Sequence, residues 1–66
     1  MPIRVRLKEI LEARGMSQRE LARLTGLRPN TINHLCSNTA TSVYFETLEV
    51  ICKTLNIEIQ ELLELE

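Results

Sequence analysis

Residues 17–35 read SQRELARLTGLRPNTINHL, and their spacing decides the fold. Ser17 with Glu20 three positions later is a capping box, which starts a helix at Gln18. Leu21 and Ala22 give that helix an apolar side, and it runs to about Leu24. Thr25-Gly26-Leu27 breaks the pattern, because Gly26 supplies the positive φ of a tight turn. The next helix begins near Arg28. Pro29 suits its first turn, where a backbone N–H lacks an intrahelical partner anyway. It ends near Cys36, with Ile32 and Leu35 on one face and Leu27 packing just ahead of them. Leu21 and Leu27 anchor the pair to a core, and Ala22 is small where the second helix must cross closely.

The other face of this second helix carries Asn30, Asn33, His34 and Ser37. A face that is merely solvated draws Glu, Lys and Arg, which favour the helix more than Asn or Thr do. These side chains instead bring hydrogen-bond donors and acceptors. Asn can bond both N6 and N7 of adenine, and His or Arg can reach the acceptors of guanine. Two short helices joined by a sharp glycine turn, the second presenting such a face, are the elements of a helix-turn-helix. That unit places its second helix in the DNA major groove.

On the N-terminal side, Ile3, Val5 and Leu7 alternate, then Leu7, Ile10 and Leu11 take helical spacing. The spacing predicts a short extended lead-in and a helix from about Arg6 to Arg14. Gly15 is its left-handed cap, and Met16 closes over the end. On the other side, SNTATSV (residues 37–43) reads as a polar loop without glycine. A fourth helix is expected from about Phe45 to Leu55, its stripe formed by Leu48, Ile51, Cys52 and Leu55, with Asn56 as its C-terminal cap. IEIQELLELE (residues 57–66) reads as a fifth helix whose early Glu58 and Glu61 suit the helix dipole. The expectation is a single all-α domain over residues 1–66, five short helices in one compact unit.

With 66 residues, a domain buries only about 60% of its unfolded surface, so there is little chain for an effector pocket. With one Tyr, one Phe and no Trp, the core must be aliphatic. No apolar run approaches the ~20 residues of a membrane helix. MPIRVRLKEI lacks the apolar stretch of a secretory signal. Cys36 and Cys52 are too few for a disulfide scaffold, which points to a reducing, cytoplasmic setting. Net charge is −1, but unevenly spread. Residues 1–36 hold seven cations and three carboxylates, residues 37–66 one cation and six carboxylates. Such a split suggests one face for a polyanion and another for something else; a balanced surface without a partner gives the same totals.

Catalysis and metal binding find no support. His34 and Cys36 stand about 200° apart around a helix, so they do not converge on a metal or form a catalytic pair, and a fourth ligand is missing. There is no glycine-rich phosphate loop, and no cofactor is implied. Leu55, Ile57, Ile59, Leu62, Leu63 and Leu65 exceed what one small helix needs for a core. Either they pair two subunits through the C-terminal helices, or they pack tightly in a monomer.

SQRELARLTGLRPNTINHL, with RLKEILEARGMSQ before it and FETLEVICKTLNIEIQELLELE after it, resembles the lambda-repressor-like (Cro/XRE-type) helix-turn-helix proteins. The similarity spans nearly the whole chain. It implies a five-helix DNA-binding domain, non-enzymatic, acting as a transcriptional repressor and homodimer on a pseudo-palindromic operator, with a bacterial or phage origin. Gln18 matches the family's glutamine that holds a phosphate and supports the reader helix, with Arg19 beside it. Arg28 stands where the family has a Ser or Thr cap, and brings a positive charge to the groove edge. Pro29 replaces a polar reader and is left with a thymine methyl. Asn30, Asn33 and His34 match base-reading positions, and Thr31 a small hydroxyl near the backbone. After the third helix the family often carries a basic Asn-Gly-Lys-like turn. CSNTATSVY has neither glycine nor cation there, which leaves Asn38, Thr39 or backbone amides as donors. That departure and the acidic C-terminal half favour a rival reading, an antitoxin-like module that binds a protein partner.

Overall fold

The computed structural model describes residues 3–66. The elements in order are β1 (Ile3–Val5), α1 (Leu7–Arg14), α2 (Gln18–Thr25), α3 (Pro29–Ser37), α4 (Phe45–Leu55), α5 (Ile59–Leu62) and β2 (Leu63–Leu65). The five helices lie where the sequence places them, with one exception at the C-terminus. α5 is only four residues long, and the chain turns extended at Leu63 (φ −113°, ψ 142°).

The extension has a physical reason. β1 and β2 pair antiparallel, with Ile3 opposite Leu65, Arg4 opposite Glu64 and Val5 opposite Leu63. Because strand side chains alternate, Ile3, Val5, Leu63 and Leu65 share one face of this ribbon. Val5 and Leu63 pack on the core, while Ile3 and Leu65 lie beyond it and stay exposed. Arg4 and Glu64 share the other face and form an ion pair of 3.6 Å, and Arg4 also reaches Glu9 at 3.0 Å. The lead-in predicted as merely extended is therefore a strand, and the end of the predicted fifth helix is its partner.

The core is aliphatic, as the shortage of aromatic residues requires. Leu7 and Leu11 of α1, Leu21 and Ala22 of α2, and Ile32, Leu35 and Cys36 of α3 meet Leu48, Ile51 and Leu55 of α4 and Leu62 of α5. Burial raises the pKa of the Cys36 thiol; Lys8 lowers it and Glu9 raises it further. α3 packs against α1 and α2, and α4 packs against α2 and α5.

Helix ends follow local chemistry. Ser17 Oγ accepts the Glu20 N–H at 3.0 Å, starting α2 as the capping box predicts. Gly15 (φ +65°) and Asn56 (φ +56°) take the left-handed caps expected of them. After α3 the same role falls to Asn38 (φ +59°), whose loop has no glycine to offer. None of the helices among the described residues is long and apolar enough to cross a membrane.

Candidate nucleic-acid interface

The turn between α2 and α3 sets the geometry. Gly26 sits at φ +76°, and its N–H donates to the Ala22 carbonyl at 2.9 Å. Thr25 Oγ1 donates to the Leu21 carbonyl at 2.8 Å and accepts the Leu27 N–H at 3.2 Å, so one side chain ties both sides of the turn. Arg28 is extended, Pro29 opens α3, and the Arg28 carbonyl accepts from Thr31 and Ile32. Ile32 and Leu35 are fully inside, which fixes α3 against the body of the domain.

Fixing that face exposes the other. Pro29, Asn30, Asn33 and His34 are exposed, and Thr31 is half-buried. Among the described residues, the side chains of Asn30, Thr31, Asn33 and His34 make no hydrogen bond. Gln18 and Arg19 are exposed on the first turn of α2, and Arg28 stands at the start of α3. Neither Arg19 nor Arg28 has an ion-pair partner among the described residues. The arrangement gives one outward ridge of hydrogen-bonding groups with free cations at its near end. Arg4 is different, since two carboxylates hold it.

The far end of α3 departs from the sequence expectation. Asn38 was expected among the donors to DNA, but its carboxamide is occupied on both sides by the backbone of β1. Oδ1 accepts the Val5 N–H at 2.7 Å, and Nδ2 donates to the Val5 carbonyl at 3.1 Å. The residue caps α3 and latches it to a strand 33 positions away. Ser37 Oγ donates back to the Asn33 carbonyl at 2.9 Å and lies 2.9 Å from Thr39 Oγ1. These hydroxyls also serve the helix end.

Tyr44 was not singled out from the sequence. It is 83% exposed and lines a cleft of about 420 Å³ together with Thr31, His34 and Ser42. Its phenol therefore stands beside the outward ridge. Little in the sequence marks it, beyond an aromatic residue placed just before a helix.

Both helices of the turn, α2 and α3, fall within one family match. The model of the Cro/C1-type HTH DNA-binding domain aligns with residues 6–66. The chain belongs to the Cro/C1-type helix-turn-helix family. Among solved structures, this Cro/C1-type chain is similar to one from Bacteroides fragilis described as a "putative DNA-binding protein". The two are 27% identical, the TM-score is 0.81, and the match covers 94% of this chain and 98% of that one. No curated protein matches. The Cro/C1-type domain is a DNA-binding domain, so the ridge on α3 lies on the helix that such a motif presents to the major groove.

Proposed function

We propose that this protein is a sequence-specific transcriptional regulator, a repressor, that binds double-stranded DNA with α3 in the major groove. The observation that carries this is the outward face of α3. It is rich in hydrogen-bonding groups, exposed, and unengaged by the rest of the chain. Asn30, Asn33 and His34 read base edges. Arg19, Arg28 and Gln18 hold phosphates, Thr31 lies near the backbone, and Pro29 meets a thymine methyl. Two copies joined through the C-terminal helices read a pseudo-palindromic operator, one half-site each. The protein works in the cytoplasm, on the DNA of a bacterium or phage.

A second reading, a protein-interaction module on the same fold, is favoured by the 38–44 loop, which lacks a cation, and by the acidic C-terminal half. One experiment separates the two. Electrophoretic shifts on random-sequence duplexes, at low and physiological salt, should recover a preferred sequence. Log affinity should fall with log salt by ~0.9 per phosphate neutralised, a shallow slope for so few cations. A flat plot, or no shift at low salt, rules out the DNA reading.

A further inference from the structure

The chain has two aromatic residues, and both are outside: Tyr44 at 83% and Phe45 at 88% exposure. Tyr44 belongs beside the α3 ridge. Phe45 faces another way, onto a groove of about 520 Å³ between α4 and the segment carrying α5 and β2. Leu48 and Cys52 continue its floor along α4, and Ile57, Ile59 and Leu63 form its far wall. Ile59 itself is 46% exposed. A large ring left in water at the mouth of an unfilled apolar groove is an unfavourable arrangement for an isolated domain.

The charges along the groove say what covers it. From its N-terminal end, this side of α4 reads Phe45, Glu49, Lys53, and then reaches the notch at Ile57 and Ile59. Phe45, Glu49 and Lys53 follow one another at one helical turn, and the notch lies past the end of α4, with Glu58 between Ile57 and Ile59. Lys53 is the one cation of residues 37–66. Turned end for end about a two-fold axis, this pattern matches itself. Phe45 of one copy meets the notch of the other, Glu49 meets Lys53, and Lys53 meets Glu49. Within one chain Glu49 and Lys53 already face each other at 3.9 Å, but both are well exposed. An exposed pair of this kind contributes little and readily exchanges partners.

We propose that the groove between α4 and α5 is the surface on which a second copy of this chain docks. The contact is isologous, with Phe45 inserted beside Ile57 and Ile59 of the other copy and two reciprocal Glu49–Lys53 ion pairs across the axis. The inference deepens the homodimer of the proposed function by naming its surface and anchor, and it is tested without DNA.

The test is sedimentation of the full chain over a wide concentration range, in low salt. The unaltered chain should form dimers. Phe45→Ser should raise the dimer dissociation constant by about tenfold or more while helicity holds, because the ring is exposed in the monomer. Glu49→Lys alone places two lysines opposite each other at both positions, and Lys53→Glu alone places two glutamates there. Each variant should be monomeric by itself. Mixed together, they should form a heterodimer, although neither chain retains its own Glu49–Lys53 pair. An unaltered chain that stays monomeric at millimolar concentration overturns the proposal. A dimer indifferent to Phe45→Ser also overturns it, as does a mixture that fails to associate; such a dimer would sit elsewhere, for example on the tip of the β1–β2 ribbon. Dimers that form as described yet never shift DNA would overturn the proposed function and leave this surface standing.

Discussion

The two ends of α3 are built from the same kinds of side chain and put them to opposite uses. At the start and middle, Asn30, Asn33 and His34 are exposed, and their side chains make no hydrogen bond among the described residues. At the end, Ser37, Asn38 and Thr39 are equally exposed, yet hydroxyl and carboxamide are all engaged in closing the helix or holding β1. Neither residue type nor exposure distinguishes a reader from a fastener. What separates them is whether the polar group already has a partner. Backbone conformation divides them in the same way: Asn38 is left-handed, where Asn is tolerated because its short polar side chain bonds locally.

The largest expected effect falls on the fastened end. Asn38→Ala removes two hydrogen bonds to Val5 and places a Cβ-bearing residue without a polar side chain at positive φ, so it should cost about 3 kcal/mol of folding stability in denaturant titrations. Asn38→Gly keeps the left-handed turn and should cost clearly less. If both variants fold as well as the parent, the contrast between the two ends collapses.

At the reader end the sign of the comparison reverses. Asn33→Ala should leave stability nearly unchanged, since Ala is the better helix former, but lose about 2 kcal/mol at the preferred DNA site. Binding to unrelated duplexes should hardly move. A loss of fold rather than of sequence preference would show Asn33 to be another fastener.

Arg28→Ala should do less at any one sequence and act on all of them alike. We expect a loss of about 1 kcal/mol at low salt and a salt slope shallower by about one contact per subunit. A change confined to one sequence would make Arg28 a base reader instead.

The smallest effect concerns the inner face of α3. The Cys36 thiol is held above its ordinary pKa by burial, so its neutral form is the one that stabilises the fold. That contribution is complete below the thiol's unfolded pKa and is lost as pH rises toward its folded one. Alkaline stability curves should therefore fall less steeply for Cys36→Ala than for the parent, even though the variant begins from a lower stability. Parallel curves would show that the thiol contributes nothing to the pH dependence.

Much of this was legible in the sequence because the signals are local. The capping box at Ser17, the left-handed glycines at 15 and 26 and the stripe of Ile32 and Leu35 each depend on neighbours within a few positions, and together they lead to the family. The ribbon was not legible, because pairing Ile3 with Leu65 depends on a partner at the other end of the chain. The alternation of Ile3, Val5 and Leu7 pointed only to an extended lead-in. The answering alternation of Leu63 and Leu65 was hidden in a run that also suits a helix. The latch made by Asn38 was hidden for a related reason: its partner, Val5, lies 33 residues away. At Asn30 and Asn33 the sequence carries the chemistry and the position of two exposed carboxamides, while the bases proposed to meet them belong to the DNA and not to the chain.

The ribbon also sets a timetable. Residues 3–5 and 63–65 are joined across nearly the full length of the chain, whereas the helices close over a few residues each. The pairing closes a loop of nearly sixty residues and is only three residues deep, so we expect the ribbon to form after the helical body and to open first. Asn38 hangs from the same strand. Each time the two strands part, the far end of α3 loses its anchor at Val5. Amide protons of β1 and β2 should then exchange faster than those of Ile32 or Leu35, and the last turn of α3 should exchange along with them. The fidelity with which one end of α3 is held would thus be governed by how often two strands at the opposite extremes of the chain find each other.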